Sequence, residues 1–205
     1  MSKTKALLEK HVNLLKGCQA CPEMVGPVVT GAPVQSEVFM IGQAPGPHEG
    51  RFGKPFAWTA GKTLFRWFGS IGLPEEQFRS LAYMAAVCRC FPGKAKTGGD
   101  RVPNNDEISN CSKWMKQEFE LLQPRLVIPV GKLAIEQLMG KVQLVDVIGQ
   151  SFEKTIYGVT SDVIPLPHPS GASTWFKKEP GISLLEEALK LIESHQAWQN
   201  LLKQV

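Results

Sequence analysis

The chain has 205 residues, 43% hydrophobic and 20% charged, which suits one globular domain spanning residues 1–205 and able to bury a full core. No apolar run reaches membrane-spanning length, and "MSKTKALLEK" lacks the unbroken apolar region of a signal peptide; this argues against a membrane helix and leads us to expect a cytosolic protein. The net charge of +4 is compatible with an anionic partner without requiring one.

Residues 3–16, "KTKALLEKHVNLLK", carry Leu7, Leu8, Val12, Leu14 and Leu15 at near-helical spacing, with Gly17 where a C-terminal cap belongs. Four later segments read as short buried strands: "EVFMIG" at 37–42, "LAYMAAV" at 81–87, "RLVIPVG" at 125–131 and "DVIPLPH" at 162–168. Helical patterns lie between and after them: "AGKTLFRWFGSIG" from 60, "NNDEISNCSKWMKQEFELL" from 105, "GKLAIEQLMG" from 131 and "SLLEEALKLIESHQAWQNLL" at the end. Strands that alternate with helices predict an α/β fold with a mainly parallel, four-stranded sheet and helices on both faces. Such sheets put their sites beyond the carboxyl ends of the strands, here the loops 42–60, 88–104 and 168–181.

Those loops differ in composition from the scaffold. "CRCFPGKAKTGGDRVPNN" and "HPSGASTWFKKEPG" are rich in Gly, Pro, Lys and Arg with Phe and Trp interleaved, so they offer cations for phosphates and rings for bases. Such residues also mark any solvated loop; their position at the expected site edge is what favours nucleic acid. His11 and His195 fall inside helical patterns and are expected to be solvated or packed.

Five cysteines in a chain of this kind read as metal ligands, redox groups or core residues rather than disulfides. Cys18 and Cys21 form a CxxC; Cys90 and Cys111 follow after a long gap, and Cys88 lies two residues before Cys90. Four thiolates from Cys18, Cys21, Cys90 and Cys111 suit a structural zinc ion or a [4Fe-4S] cluster, and the CxxC spacing by itself leans toward zinc.

Four separated pieces then occur in order: "GQAPG" after the first strand, "GKPF" shortly afterwards, a cysteine-bearing end to the second strand, and "HPS" after the last. Together they resemble the uracil-DNA glycosylase superfamily, most closely its iron-sulfur family 4 branch, over residues 10–195. The resemblance implies a three-layer α/β/α fold and an enzyme that flips a damaged nucleotide out of DNA and hydrolyses its N-glycosidic bond, leaving an abasic site. It turns the preference at the four thiols from zinc to [4Fe-4S]. "RCFPG" resembles the family's ligand segment, which favours Cys90 over Cys88, and the cluster is expected to pin the basic loop and the N-terminal helix.

Carried onto this sequence, the resemblance implies that Phe56 stacks on uracil and that His168 donates to the uracil O2 as negative charge builds there. Glu49 matches a family glutamate that would orient the attacking water, with pairing to Arg51 as its plain alternative. Gln43 stands for the family's usual glutamate, and Gly42 and Ala44 complete the turn against the substrate. Ala44 occupies the place of another branch's catalytic aspartate, and Ala86 the place of an asparagine that reads the uracil edge. These departures leave open another deaminated base, or a cluster-bearing DNA-binding protein with weak catalysis; a metal-bound nucleoside hydrolase is a further reading. Ser170, Trp175, Lys177 and Lys178 are expected to meet DNA, with Trp175 or Phe176 as a duplex wedge. No heptad or apolar stripe calls for an oligomer, so a monomer bound to damaged DNA, away from any membrane, is expected.

Overall fold

The central strands form where the sequence is apolar on alternate residues to both sides. In the computed structural model, which describes residues 2–96 and 98–205, β1 (Val38–Gly42), β2 (Tyr83–Ala86) and β3 (Leu126–Pro129) are buried along their whole length. Val38 and Met40 point into one core with Met84, Leu126 and Ile128. Phe39 and Ile41 point into the other with Tyr83, Ala85 and Val127. This period of two is what a strand covered on both faces requires.

Five strands pair in the order β2-β1-β3-β5-β4, which corrects the expected count of four. β2, β1, β3 and β5 (Val159–Val163) run parallel, while β4 (Phe152–Ile156) pairs antiparallel with β5 at the edge. Tyr157 and Gly158 join β4 to β5 with positive φ at both positions, the backbone that a two-residue hairpin turn needs. The last parallel strand also sits earlier than "DVIPLPH" suggests. It ends at Val163, because Pro165 and Pro167 lack the N–H that a ladder uses; only Leu166 bridges back, to Val130.

Nine α-helices complete the described residues. α1 (Lys3–Lys16) is capped by Ser2 and closed by Gly17, and α5 (Asn105–Leu122) opens with a capping box of Asn104 and Glu107. α1 and α5 cover the Phe39 face through Leu8, Met115 and Phe119. On the Met40 face lie α3 (Thr59–Ser70), α4 (Glu75–Leu81), α8 (Gly181–Ser194) and α9 (Gln196–Leu202), through residues such as Phe68, Phe78, Ile192 and Trp198. α6 (Lys132–Met139) follows β3, and α2 (Glu49–Phe52) and α7 (Leu144–Val147) are single turns. The final helical pattern is two helices. His195 breaks it, its Nδ1 accepting the Ala197 N–H at 3.1 Å and its Nε2 meeting Asp162 at 3.0 Å.

His11 is buried rather than solvated, with Gln117 at 3.1 Å and Glu118 at 3.3 Å. Glu118 also accepts from the Tyr83 hydroxyl at 2.8 Å and from both terminal nitrogens of Arg89. Arg89 and Glu118 are 2% and 0% exposed, a closed ion pair inside the Phe39-side layer. Arg89 sits between Cys88 and Cys90, and its Nε donates to the Ala86 carbonyl at 2.8 Å. The pair thereby ties α5 to the end of β2. Burial alone would lower the Arg89 pKa and raise that of Glu118; their mutual attraction reverses both directions.

Candidate active site

The three expected loops meet at one cavity of about 420 Å³ at the carboxyl ends of the strands. Gln43, Glu49 and Phe56 come from the first loop, Lys94, Asp100 and Arg101 from the second, and His168 and Ser170 from the third. Gly42, Ala44 and Ala86 also line it. The chain thus assembles eight of the expected site residues around one space.

Phe56 is held from three directions. It has φ 52°, an unusual backbone for a residue with a side chain. Its ring lies against Gly42, where an added Cβ would stand 2.8 Å from the ring, and its carbonyl oxygen presses onto Gly61 of α3, leaving no room for any Cβ there. Arg79 supplies the third restraint, donating to the Pro55 carbonyl at 2.9 Å and the Phe56 carbonyl at 3.1 Å. Glu75 orients that guanidinium at 2.8 Å, and the Phe65 ring lies 4.5 Å beneath it. Sequence reasoning missed Arg79, because a Glu-Arg pair four residues apart reads as an ordinary surface ion pair.

Glu49 does not pair with Arg51. It is buried, accepting the Gly46 N–H at 2.6 Å and the Ala57 N–H at 3.1 Å, one on each carboxylate oxygen. Burial raises its pKa although these backbone donors oppose the shift. The "GQAPGPHEG" turn is therefore closed on itself by its own carboxylate. Gly42 and Gln43 accept the N–H groups of Val87 and Cys88 at 2.9 and 3.1 Å, continuing the β1–β2 pairing beyond the strands.

His168 stands beyond the strand end, packed on Gly131, whose φ of 88° and missing Cβ make room for the ring. The Ser170 N–H donates to its Nδ1 at 3.3 Å. An accepting Nδ1 places the ring proton on Nε2 in the neutral ring. Burial lowers the His168 pKa from 6.5, so the neutral ring persists through the neutral range. A ¹⁵N-resolved histidine titration is expected to show this Nε2–H tautomer at pH 7, with protonation only below pH 6.5. Because the unfolded chain takes up its proton first, this residue makes stability fall as the pH drops from 6.5 toward its lowered folded pKa.

Trp175, Lys177 and Lys178 do not reach the cavity. Trp175 and Phe176 are half-buried against the Met40-side core, with Phe176 edge-on to Trp67 at 5.1 Å, while both lysines are exposed. The loop is also exposed at Gly171 and Ala172, and Ala172 lines the cavity. On the second loop, Arg101 pairs with Glu107 at 2.7 Å and donates to the Pro92 carbonyl, while Lys94 pairs with Asp100 at 2.6 Å.

A second cavity, of about 490 Å³, is lined by Cys18, Cys21, Cys90 and Cys111. Paired hydrogen bonds between Val25 and Phe91, at 2.7 and 3.0 Å, stitch the CxxC segment to the Cys90 segment. Cys88 is fully buried among apolar neighbours with its thiol against Cys111. Donation from Cys88 draws the Cys111 thiol below its ordinary value, whereas burial pushes Cys90 up to about 11. Among the described residues, no three His, Cys, Asp or Glu side chains converge closely enough to share one metal ion. Trp114 lines the same cavity, and its indole N–H is buried with no hydrogen-bond partner among the described residues. Four thiols around a roomy cavity with a spare donor fit an anionic, sulfide-bearing cluster better than one tetrahedral zinc, whose four thiolates sit about 2.3 Å from a single ion.

The Uracil DNA glycosylase superfamily model matches residues 28–192, which include the cavity and both of its Gly-built supports. The chain belongs to the uracil DNA glycosylase superfamily. It is 29% identical over 171 residues to a Type-4 uracil-DNA glycosylase of Pyrobaculum aerophilum, covering 80% of this chain and 83% of that one. With the Type-4 uracil-DNA glycosylase of Saccharolobus solfataricus it shares 31% identity, over 67% of this chain and 62% of the relative. For that of Archaeoglobus fulgidus the figures are 28%, 66% and 66%. Among the described residues no helix is long and apolar enough to cross a membrane.

Proposed function

We propose that this superfamily member removes uracil from DNA by hydrolysing the N-glycosidic bond, as the first step of base excision repair, and that it acts as a monomeric single domain. The observation that carries the reading is the meeting of Phe56, His168, Glu49 and Gln43 in one cavity with basic residues at its rim. A stacked base is out of reach inside a duplex, so the nucleotide must be extruded at a cost of about a few kcal/mol, offset by contacts in the cavity. Phe56 stacks on the extruded base, and Gly42, Ala44 and Ala86 form the wall around it.

As the glycosidic bond breaks, negative charge gathers on the departing base. The Nε2–H of His168 is the donor that meets it, neutral before and during the step, so it favours the transition state over the bound base. On the sugar side Glu49 and Gln43 face the developing cation. Glu49 keeps lone pairs beyond the two that hold the turn, and with these it orients the attacking water. Ser170, Lys177 and Lys178 take phosphates, and Trp175 braces their loop or enters the duplex.

Cys18, Cys21, Cys90 and Cys111 would hold the [4Fe-4S] cluster, which when bound acts as a structural clamp between α1, α5 and the basic loop. Zinc is the competing occupant, and visible absorbance with iron and sulfide analysis of the purified protein decides between them. The activity test uses labelled oligonucleotides carrying uracil, hypoxanthine or xanthine, followed by alkaline cleavage. Cleavage at uracil supports the reading. Cleavage at another base only would move the specificity to the wall at Ala86, and binding without any cleavage would overturn the enzyme assignment.

A further inference from the structure

At the edge of the cavity, one surface feature is used by none of the roles above. His48, Trp58 and Phe52 form a row of exposed rings leading away from the cavity mouth. His48 and Trp58 line the mouth, with their centroids 4.7 Å apart; Phe52 lies beyond, its ring 5.9 Å from Trp58 and inclined to it by only 24°. Trp58 is 47% exposed and Phe52 44%. Two large rings left in water cost solvation that burial elsewhere would recover, so their exposure beside a cavity marks a contact surface.

The occupant follows from charge and continuity. Residues 47–72 contain Arg51, Lys54, Lys62 and Arg66 and a single acid, Glu49, which is buried and committed to the turn. Lys62 and Arg66 follow Trp58 at four-residue intervals along α3, and all three are exposed, so one helix edge carries a ring and then two cations. The Arg51 guanidinium lies 5.4 Å from the Phe52 ring centroid. Rings flanked by cations are the surface that single-stranded DNA uses, the bases on the aromatic faces and the phosphates on the charges. A strand with one nucleotide in the cavity must carry its neighbour across this rim.

We propose that His48, Trp58 and Phe52 are a stacking ledge for the nucleobase adjoining the extruded nucleotide on the same strand. The inference rests on the cavity taking an extruded nucleotide, as argued above. A neighbouring base that moves onto Trp58 leaves its own duplex stack, so the ledge favours uracil in unpaired or locally melted DNA. His48 closes the inner end of the row and gives the base a continuous path from rim to cavity.

A mutant cycle between protein and DNA tests this. Oligonucleotides with one uracil carry either a normal base or an abasic spacer at the 5′ or the 3′ neighbour, and affinity and single-turnover excision are measured for the wild type, Trp58→Ala and Trp58→Phe. On one side, the spacer should weaken wild-type binding by about 5- to 150-fold, the loss that removing one base–aromatic stack brings. Trp58→Ala should show that loss on normal DNA and no further loss with the spacer, while Trp58→Phe keeps most of the coupling. Additive losses, or no wild-type loss on either side, overturn the ledge. Should Trp58→Ala fail to fold, Phe52→Ala gives the same reading from the outer ring. Excision of other bases only, or of none, would count against the functional assignment, whereas the binding cycle reads the ledge whether or not uracil is cleaved.

Discussion

Replacing His168 by alanine should slow uracil excision about 10²- to 10³-fold while DNA affinity stays within a few-fold of wild type, the signature of a donor that acts on the transition state. The geometry makes this the largest single effect on turnover. The ring is half-buried at the cavity, its Nδ1 is committed to the Ser170 N–H, and its Nε2–H is left for the cavity. Single-turnover excision and fluorescence anisotropy on a non-cleavable analogue separate the two quantities. His168→Gln, which keeps a side-chain donor, should recover part of the loss. Unchanged turnover in the alanine variant would remove His168 from the mechanism.

A comparable effect on stability is expected from Arg89→Met. It leaves Glu118 buried with its hydrogen-bonding partners Tyr83 and His11 but without the guanidinium, and breaking a buried pair in this way costs about 3–5 kcal/mol. The double variant Arg89→Met/Glu118→Leu should recover much of that loss, because it removes the stranded charge as well. Urea unfolding of the single and double variants measures both. The same pair sets an acid limit. Glu118 titrates below its ordinary 4.5 in the folded protein, so its contribution is complete above that value and is lost as the pH falls toward the lowered folded pKa. Equal stability of Arg89→Met and wild type would show that the pair contributes nothing net.

The central strands and long helices were legible in the sequence because they obey one simple rule each. β1, β2 and β3 are apolar to both faces, and α1 and α5 carry caps at the expected ends. β4 was missed for the opposite reason. As an edge strand it exposes Glu153 and Thr155, and Tyr157, not Asn or Asp, takes the first left-handed position of its turn. The break at His195 has no Gly or Pro to announce it; the ring's bonds to Ala197 and Asp162 take their place.

At the site, motif residues were readable from local spacing, whereas their supports were not. Arg79 and Gly61 hold Phe56 through contacts across 23 and five residues, and neither belongs to the "GKPF" piece that drew attention to the ring. Trp58 has no mark in the sequence, because an aromatic residue beside a core helix reads as packing until its exposure is known. Glu49 is singled out by its place in the motif, yet its hold on the Gly46 and Ala57 amides depends on how the turn folds back.

The small residues around Phe56 also bear on how this pocket can evolve. Gly42 and Gly61 tolerate no side chain, since the ring and the carbonyl of Phe56 already fill the space. Ala44 and Ala86 line the same cavity and already carry a Cβ. On the proposed reading, base preference would be adjusted at these two positions while the Phe56 ring stays put. A library confined to residues 44 and 86 searches the wall of the pocket without disturbing its floor, and Ala86→Asn is the shortest step in it toward an amide that reads a base edge.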